Sequence, residues 1–167
     1  MFKWERWIKE GCKEAFEEYL NEGTINKEEE KENLSKSHLE KVDYNLDFIN
    51  NLLKQKKFYD WIIIACYYAI YHASLALSSI KGYSSKNHLA TLCALIHFYY
   101  KEELNKEDIE LIAKSYLDKV EVTYFVEAKN KRETASYGVS KEFDKNEAEK
   151  LRVKTILFVN KAKEILE

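Results

Sequence analysis

Proline is absent from this 167-residue chain, and glycine occurs only four times. Both residues interrupt helices, so their scarcity points to long, unbroken ones. Glutamine occurs once, at Gln55, and arginine only at Arg6, Arg132 and Arg152, against many lysines. That bias fits a thermophile or an AT-rich genome alike. The three cysteines, Cys12, Cys66 and Cys93, include no CxxC pair. Their odd number and wide spacing argue against a disulfide framework or a zinc site. They read as small core residues of a reduced, cytosolic protein. There is no excess of positive charge: 27 Lys and Arg stand against 29 Asp and Glu. Overall charge therefore does not announce a nucleic-acid binder, although a local basic patch stays open. No apolar run follows the charged N-terminus MFKWERWIKE, so it is not read as a secretory signal. With no glycine-rich phosphate loop and no His–carboxylate pair at i, i+4, neither a cofactor nor a metal is expected.

What is present is organised around Phe58 to Lys81, where no charge falls between Asp60 and Lys81. Ile62, Ile63, Ile64, Ile70, Leu75 and Leu77 spread around such a helix, so it must be enclosed on all sides. Ala65, Ala69, Ala73 and Ala76 leave room for close neighbours. About 20 uncharged residues would also span a bilayer. Three tyrosines and His72 near the middle oppose that reading, because membrane helices carry their aromatic anchors at the ends. The stretch is read as the central rod of a helical bundle, and a site is expected to touch it.

Taken in order, the first helix is expected from about Phe2 to Leu20, with Trp4, Trp7, Cys12 and Phe16 on its apolar stripe. Gly23 stops it. A second helix is expected from about Lys27 to Lys56, its seam formed by Leu39, Val42, Leu46, Ile49 and Leu53. The rod follows and ends at Gly82. Ser84 or Ser85 is expected to cap a fourth helix. Asn105 caps a fifth, with Ile109, Ile112, Tyr116, Val120 and Tyr124 on its inner face. Gly138 breaks the pattern. Asp144 and Glu147 form a capping box for the last helix, whose stripe includes Thr155, Phe158, Val159 and Ala162. No strand pattern is found. Residues 1–25 read as an N-terminal extension helix and 26–167 as the main helical domain, all-α throughout.

From Val42 onward the features resemble a HEPN domain. Tyr67-Tyr68-Ala69-Ile70-Tyr71-His72-Ala73 with Leu75-Ala76-Leu77 is similar to that family's aromatic–His–Ala helix. Lys86-Asn87-His88 resembles its K-x-H element after a glycine-containing turn, and Arg132 to Tyr137, RETASY, its RxxADY element. The resemblance implies an up-and-down helical bundle and an RNA or nucleotide context. It also implies a cytoplasmic homodimer, within a toxin–antitoxin-like system that can include a small nucleotidyltransferase partner.

HEPN ribonucleases carry an arginine followed, after four to six residues, by a histidine. A histidine can move the ribose hydroxyl proton while an arginine holds the phosphate. Here the histidines are His38, His72, His88 and His97, and none stands at that distance after an arginine. The expectation is therefore RNA or nucleotide binding without the usual catalytic pair. Two alternatives remain: an active, metal-independent ribonuclease using His88 with Arg132, or a non-enzymatic dimerisation module. Ligand candidates are Lys86 and His88 near a helix start, Lys129, Lys131 and Arg132 as a phosphate grip, and Tyr137 against a base or ribose. Each also has an ordinary reading, as a solvated helix end or a hydrogen-bonded helix-start residue. His72 reads as a hydrogen-bonded core histidine. His38 and His97 have no partner spacing.

Overall fold

The computed structural model describes residues 2–132 and 144–167, and within that span the side chains of residues 121–122 and 124–132 lie outside the description. Its elements in order are α1 (Lys3–Glu10), α2 (Lys13–Asn21), β1 (Ile25–Lys27), α3 (Lys31–Gln55), α4 (Tyr59–Ile80), β2 (Tyr83–Ser85), α5 (His88–Tyr99), α6 (Lys106–Arg132) and α7 (Lys145–Leu166). It is an all-α bundle with one very small sheet.

Helix α4 is the expected rod. It is apolar on most of its surface because α3, α5, α6 and α7 all pack on it. Ala65, Ala69, Ala73 and Ala76 are at most 2% exposed, so neighbouring backbones approach where side chains are smallest. Over its most apolar window, long enough to cross a membrane by length and composition, 78% is buried inside the chain. The few polar groups on it are satisfied locally. Ser74 and Ser79 donate to the carbonyls of Ile70 and Leu75 at 2.8 and 2.7 Å. The buried Tyr99 hydroxyl of α5 donates to the Leu77 carbonyl at 2.7 Å, tying α5 to the rod.

The N-terminal segment departs from expectation. It is two helices, broken at Gly11 with φ 92°. Trp7 and Phe16 are nine residues apart, which on one straight helix is about half a turn out of phase. The break turns both inward: Trp4, Trp7, Cys12 and Phe16 are all buried in the main core cluster. Phe16 lies 4.4 Å from the His97 ring, nearly parallel to it.

A strand also appears where none was expected. β1 pairs antiparallel with β2, with Ile25 opposite Ser85 and Lys27 opposite Tyr83. Helix α3 therefore begins at Lys31 and not at Lys27. A three-residue strand is too short to show a period of two, and tertiary pairing alone makes it. The Glu28 amide extends the pairing by donating to the Gly82 carbonyl at 2.8 Å. Gly82, at φ 89°, turns the chain out of α4 as expected.

Two caps are as expected: Asn105 with Asp108 at the start of α6, and Asp144 with Glu147 at the start of α7. The cap of α5 is Asn87, whose side chain accepts from the Ala90 amide at 2.9 Å. Ser85 supports it one step back, accepting from the Asn87 amide at 3.0 Å.

The inner face of α6 is shorter than its periodicity implies. Ile109, Ile112 and Ala113 are buried, but Tyr116 and Val120 are 37% and 45% exposed. Helix α7 buries Thr155, Phe158, Val159 and Ala162. It is held at its far end by Lys161 to Asp108 of α6 at 2.6 Å and Lys163 to Asp43 of α3 at 2.7 Å.

Candidate functional site

The start of α5 and the middles of α4 and α6 meet around one histidine. Asn87 and Ser85 fix His88 as the first residue of α5. Tyr67 and Tyr71, one turn apart on α4, lie stacked with ring centroids 5.7 Å apart. Their rings are 5.9 and 5.8 Å from the His88 ring. From α6, Tyr116 stacks on His88 at 4.3 Å with an interplanar angle of 13°. The Lys119 ammonium, one turn further on, stands 5.8 and 5.9 Å from the Tyr67 and Tyr68 ring centroids. That is cation–π range.

The cluster is enclosed at its base and open at its rim. Tyr67 is 5% exposed, whereas Tyr68 is 38% and Tyr116 37% exposed. Both ring nitrogens of His88 are buried without a hydrogen-bond partner among the described residues. Burial pushes the His88 imidazole down to about 4, so it is neutral at physiological pH. Burial likewise raises the phenols of Tyr67 and Tyr71, which removes them as bases near neutrality. The arrangement offers flat aromatic surface, one ammonium group and an uncharged imidazole able to donate or accept.

Beside it, His72 of α4 and His38 of α3 meet with Nδ1 atoms 3.1 Å apart. Burial lowers both, His38 to about 4, and Lys41 adds to the effect. The pair is therefore neutral, one ring donating to the other. His72 is a hydrogen-bonded histidine as expected, but its partner is His38, which spacing along the sequence could not reveal.

Lys86 is exposed in the turn just before His88. Lys129, Lys131 and Arg132 end α6, and their side chains lie outside the described residues, as does Tyr137 altogether. With a rise of 1.5 Å per residue, the Arg132 backbone stands about 24 Å along the helix axis from Tyr116. The sequence reading noted the tyrosines of the rod without assigning them a role, and it placed Tyr116 in the core and passed over Lys119. The available signal was the tyrosine pair at i, i+4 on an otherwise aliphatic helix. A larger open groove of about 690 Å³ runs between α6 and α7. Its walls are charged, and Lys114 with Glu110 and Lys161 with Asp108 are already paired across or along it. No group of three or more metal-ligating side chains occurs among the described residues.

A bundle around one central helix, with a histidine walled by tyrosines of α4 and α6, defines the class of this protein. The HEPN domain profile matches residues 35–166. A Methanocaldococcus jannaschii protein described as a "putative toxin" is 32% identical over 128 residues, covering 77% of this chain and 78% of that protein. No solved structure matches the chain. The chain belongs to the HEPN domain family.

Proposed function

We propose that this HEPN protein binds single-stranded RNA or a nucleotide at the cluster of Tyr67, Tyr68, Tyr71, His88, Tyr116 and Lys119, and does so without cleaving it. The observation that carries the reading is the open aromatic rim with a cation over it. Unpaired bases stack on such rings, and an ammonium beside them meets the phosphate. Absence of cleavage rests on the missing Arg-x4–6-His pair and on the neutral His88, which is a weak proton donor at pH 7. Lys86 extends the basic edge, and Lys129, Lys131, Arg132 and Tyr137 would serve a strand running along α6. The alternative is ribonuclease action by His88 with Arg132.

A second reading is favoured by the name of the M. jannaschii relative. A toxin acts with a counterpart, so this chain would work as a cytoplasmic homodimer paired with a partner protein such as a small nucleotidyltransferase. In either reading residues 1–25 are an addition to the HEPN-like unit 26–167.

The test is a gel of purified protein with labelled small RNAs over a range of salt, native and denaturing lanes side by side. Salt-sensitive retardation without fragments is expected. Tyr116→Ala should weaken binding by roughly tenfold, the scale of one lost base stack. Lys119→Ala should lower the salt slope by about 0.7, the value for one phosphate contact on a single strand. Fragments that vanish with His88→Ala or Arg132→Ala would show cleavage and overturn the non-catalytic reading. Neither retardation nor fragments would leave the protein-partner reading in its place.

A further inference from the structure

Two of the three cysteines are neighbours in space. Cys12 caps α2, and Cys93 sits at the middle of α5, 81 residues later. Both are buried, at 4% and 0% exposure. The Cys12 sulfur lies 3.5 Å from the Cys93 carbonyl oxygen, and the Cys93 sulfur 3.9 Å from the Cys12 carbonyl oxygen. Contacts in both directions mean that the two backbones run within one side chain's length of each other, the separation a disulfide spans. The third cysteine, Cys66, is buried in a different cluster with Ile62, Ile63 and Ala148.

We propose that Cys12 and Cys93 form a reversible disulfide that clasps the N-terminal helices to the HEPN-matched part of the chain. The bond would join a residue outside the matched span 35–166 to one inside it. The contact between the two residues lowers the Cys12 thiol and raises that of Cys93, so Cys12 is the attacking sulfur. With a peroxide as oxidant, the Cys12 thiolate attacks one oxygen, the O–O bond breaks, and the departing hydroxide takes up a proton as water. The Cys93 sulfur then attacks the resulting sulfenic acid. The S–S bond forms, the S–O bond breaks, and hydroxide leaves with the Cys93 proton as a second water. Two thiols lose two electrons, and one peroxide becomes two waters. Both sulfurs are buried, so the oxidant reaches them through local opening of the chain around Cys12.

The full-length protein is treated with hydrogen peroxide or diamide, denatured in an alkylating agent and mapped by mass spectrometry. A Cys12–Cys93 linked peptide is expected, with Cys66 alkylated throughout, and a reductant should restore all three thiols. The clasp closes a long loop, so the oxidised protein should melt about 10 °C higher than the reduced one. Cys93→Ala should abolish both the linkage and the oxidant-induced shift in melting. Three alkylated thiols after oxidation, a linkage through Cys66 or between chains, or sulfinic acid at Cys12 in place of the bond would overturn the proposal. So would a bond that forms but lowers the melting temperature, since the native backbone would then not fit it.

Discussion

At the scale of single residues, the chain keeps its histidines uncharged by enclosing them. His88 has no hydrogen-bond partner among the described residues and is surrounded by tyrosines, so protonation would place an unsupported charge between aromatic rings. Its folded-state pKa of about 4 lies below the ordinary value of 6.5. The unfolded chain therefore binds more protons between those two values, and stability falls as pH drops through that window. It is full above about pH 6.5. His38, also lowered to about 4, acts in the same direction. Urea midpoints at pH 7 and pH 5 should differ, with His88 contributing on the order of 1 kcal/mol to the loss. His88→Phe should reduce the difference, whereas an unchanged difference would mean that His88 protonates freely in the folded state. A second test concerns the Tyr99 hydroxyl. Tyr99→Phe leaves the buried Leu77 carbonyl without its donor and should cost about 1–2 kcal/mol in the same measurement.

At the scale of elements, the N-terminal helices are core and not ornament within this chain. Phe16 is 3% exposed and touches the rings of Tyr83, His97 and Phe98. Phe16→Ala should cost about 3–5 kcal/mol, the range for a large aromatic removed from a closed core. A loss under 1 kcal/mol by denaturant titration would show that α2 is only loosely laid on α5. Gly11 makes the break that lets both faces turn inward, at φ 92° and ψ 162°. That conformation is nearly closed to residues with a side chain, although nothing lies within 4 Å of the added Cβ. Gly11→Ala should therefore destabilise by about 1–3 kcal/mol through backbone strain alone.

At the scale of the whole molecule, α4 decides the arrangement. Four helices need it as their apolar partner, and the side of α4 between α3 and α6 keeps Trp61 and Tyr68 at 44% and 38% exposure. Removing residues 1–22 would uncover the part of the main core formed by α5 and the β-ribbon. The truncated chain is expected to show a much lower urea midpoint, read alongside its mass in solution by light scattering. A midpoint that is unchanged while a dimer becomes a monomer would instead assign α1 and α2 to an interface between copies.

Sequence by itself determined the all-α class and the central rod, because a helix without charge between Asp60 and Lys81 needs apolar partners along most of its surface. It also determined the caps at Asn105 and Asp144, which depend on residues three apart and nothing distant. The aromatic–His–Ala pattern of residues 67–77 carried the family. Tertiary structure alone decided the rest. The β-ribbon, the His38–His72 pair and the Cys12–Cys93 contact join residues that periodicity cannot relate, separated by 34 or more positions. The core-facing stripe expected of α6 failed at Tyr116 for the same reason. A hydrophobic period says which residues share a face, but how far along that face the neighbouring helices reach is a property of the assembled bundle. The aromatic wall of His88 exists because α4 and α6 bring Tyr67, Tyr71 and Tyr116 to the start of α5, and no single helix encodes that meeting.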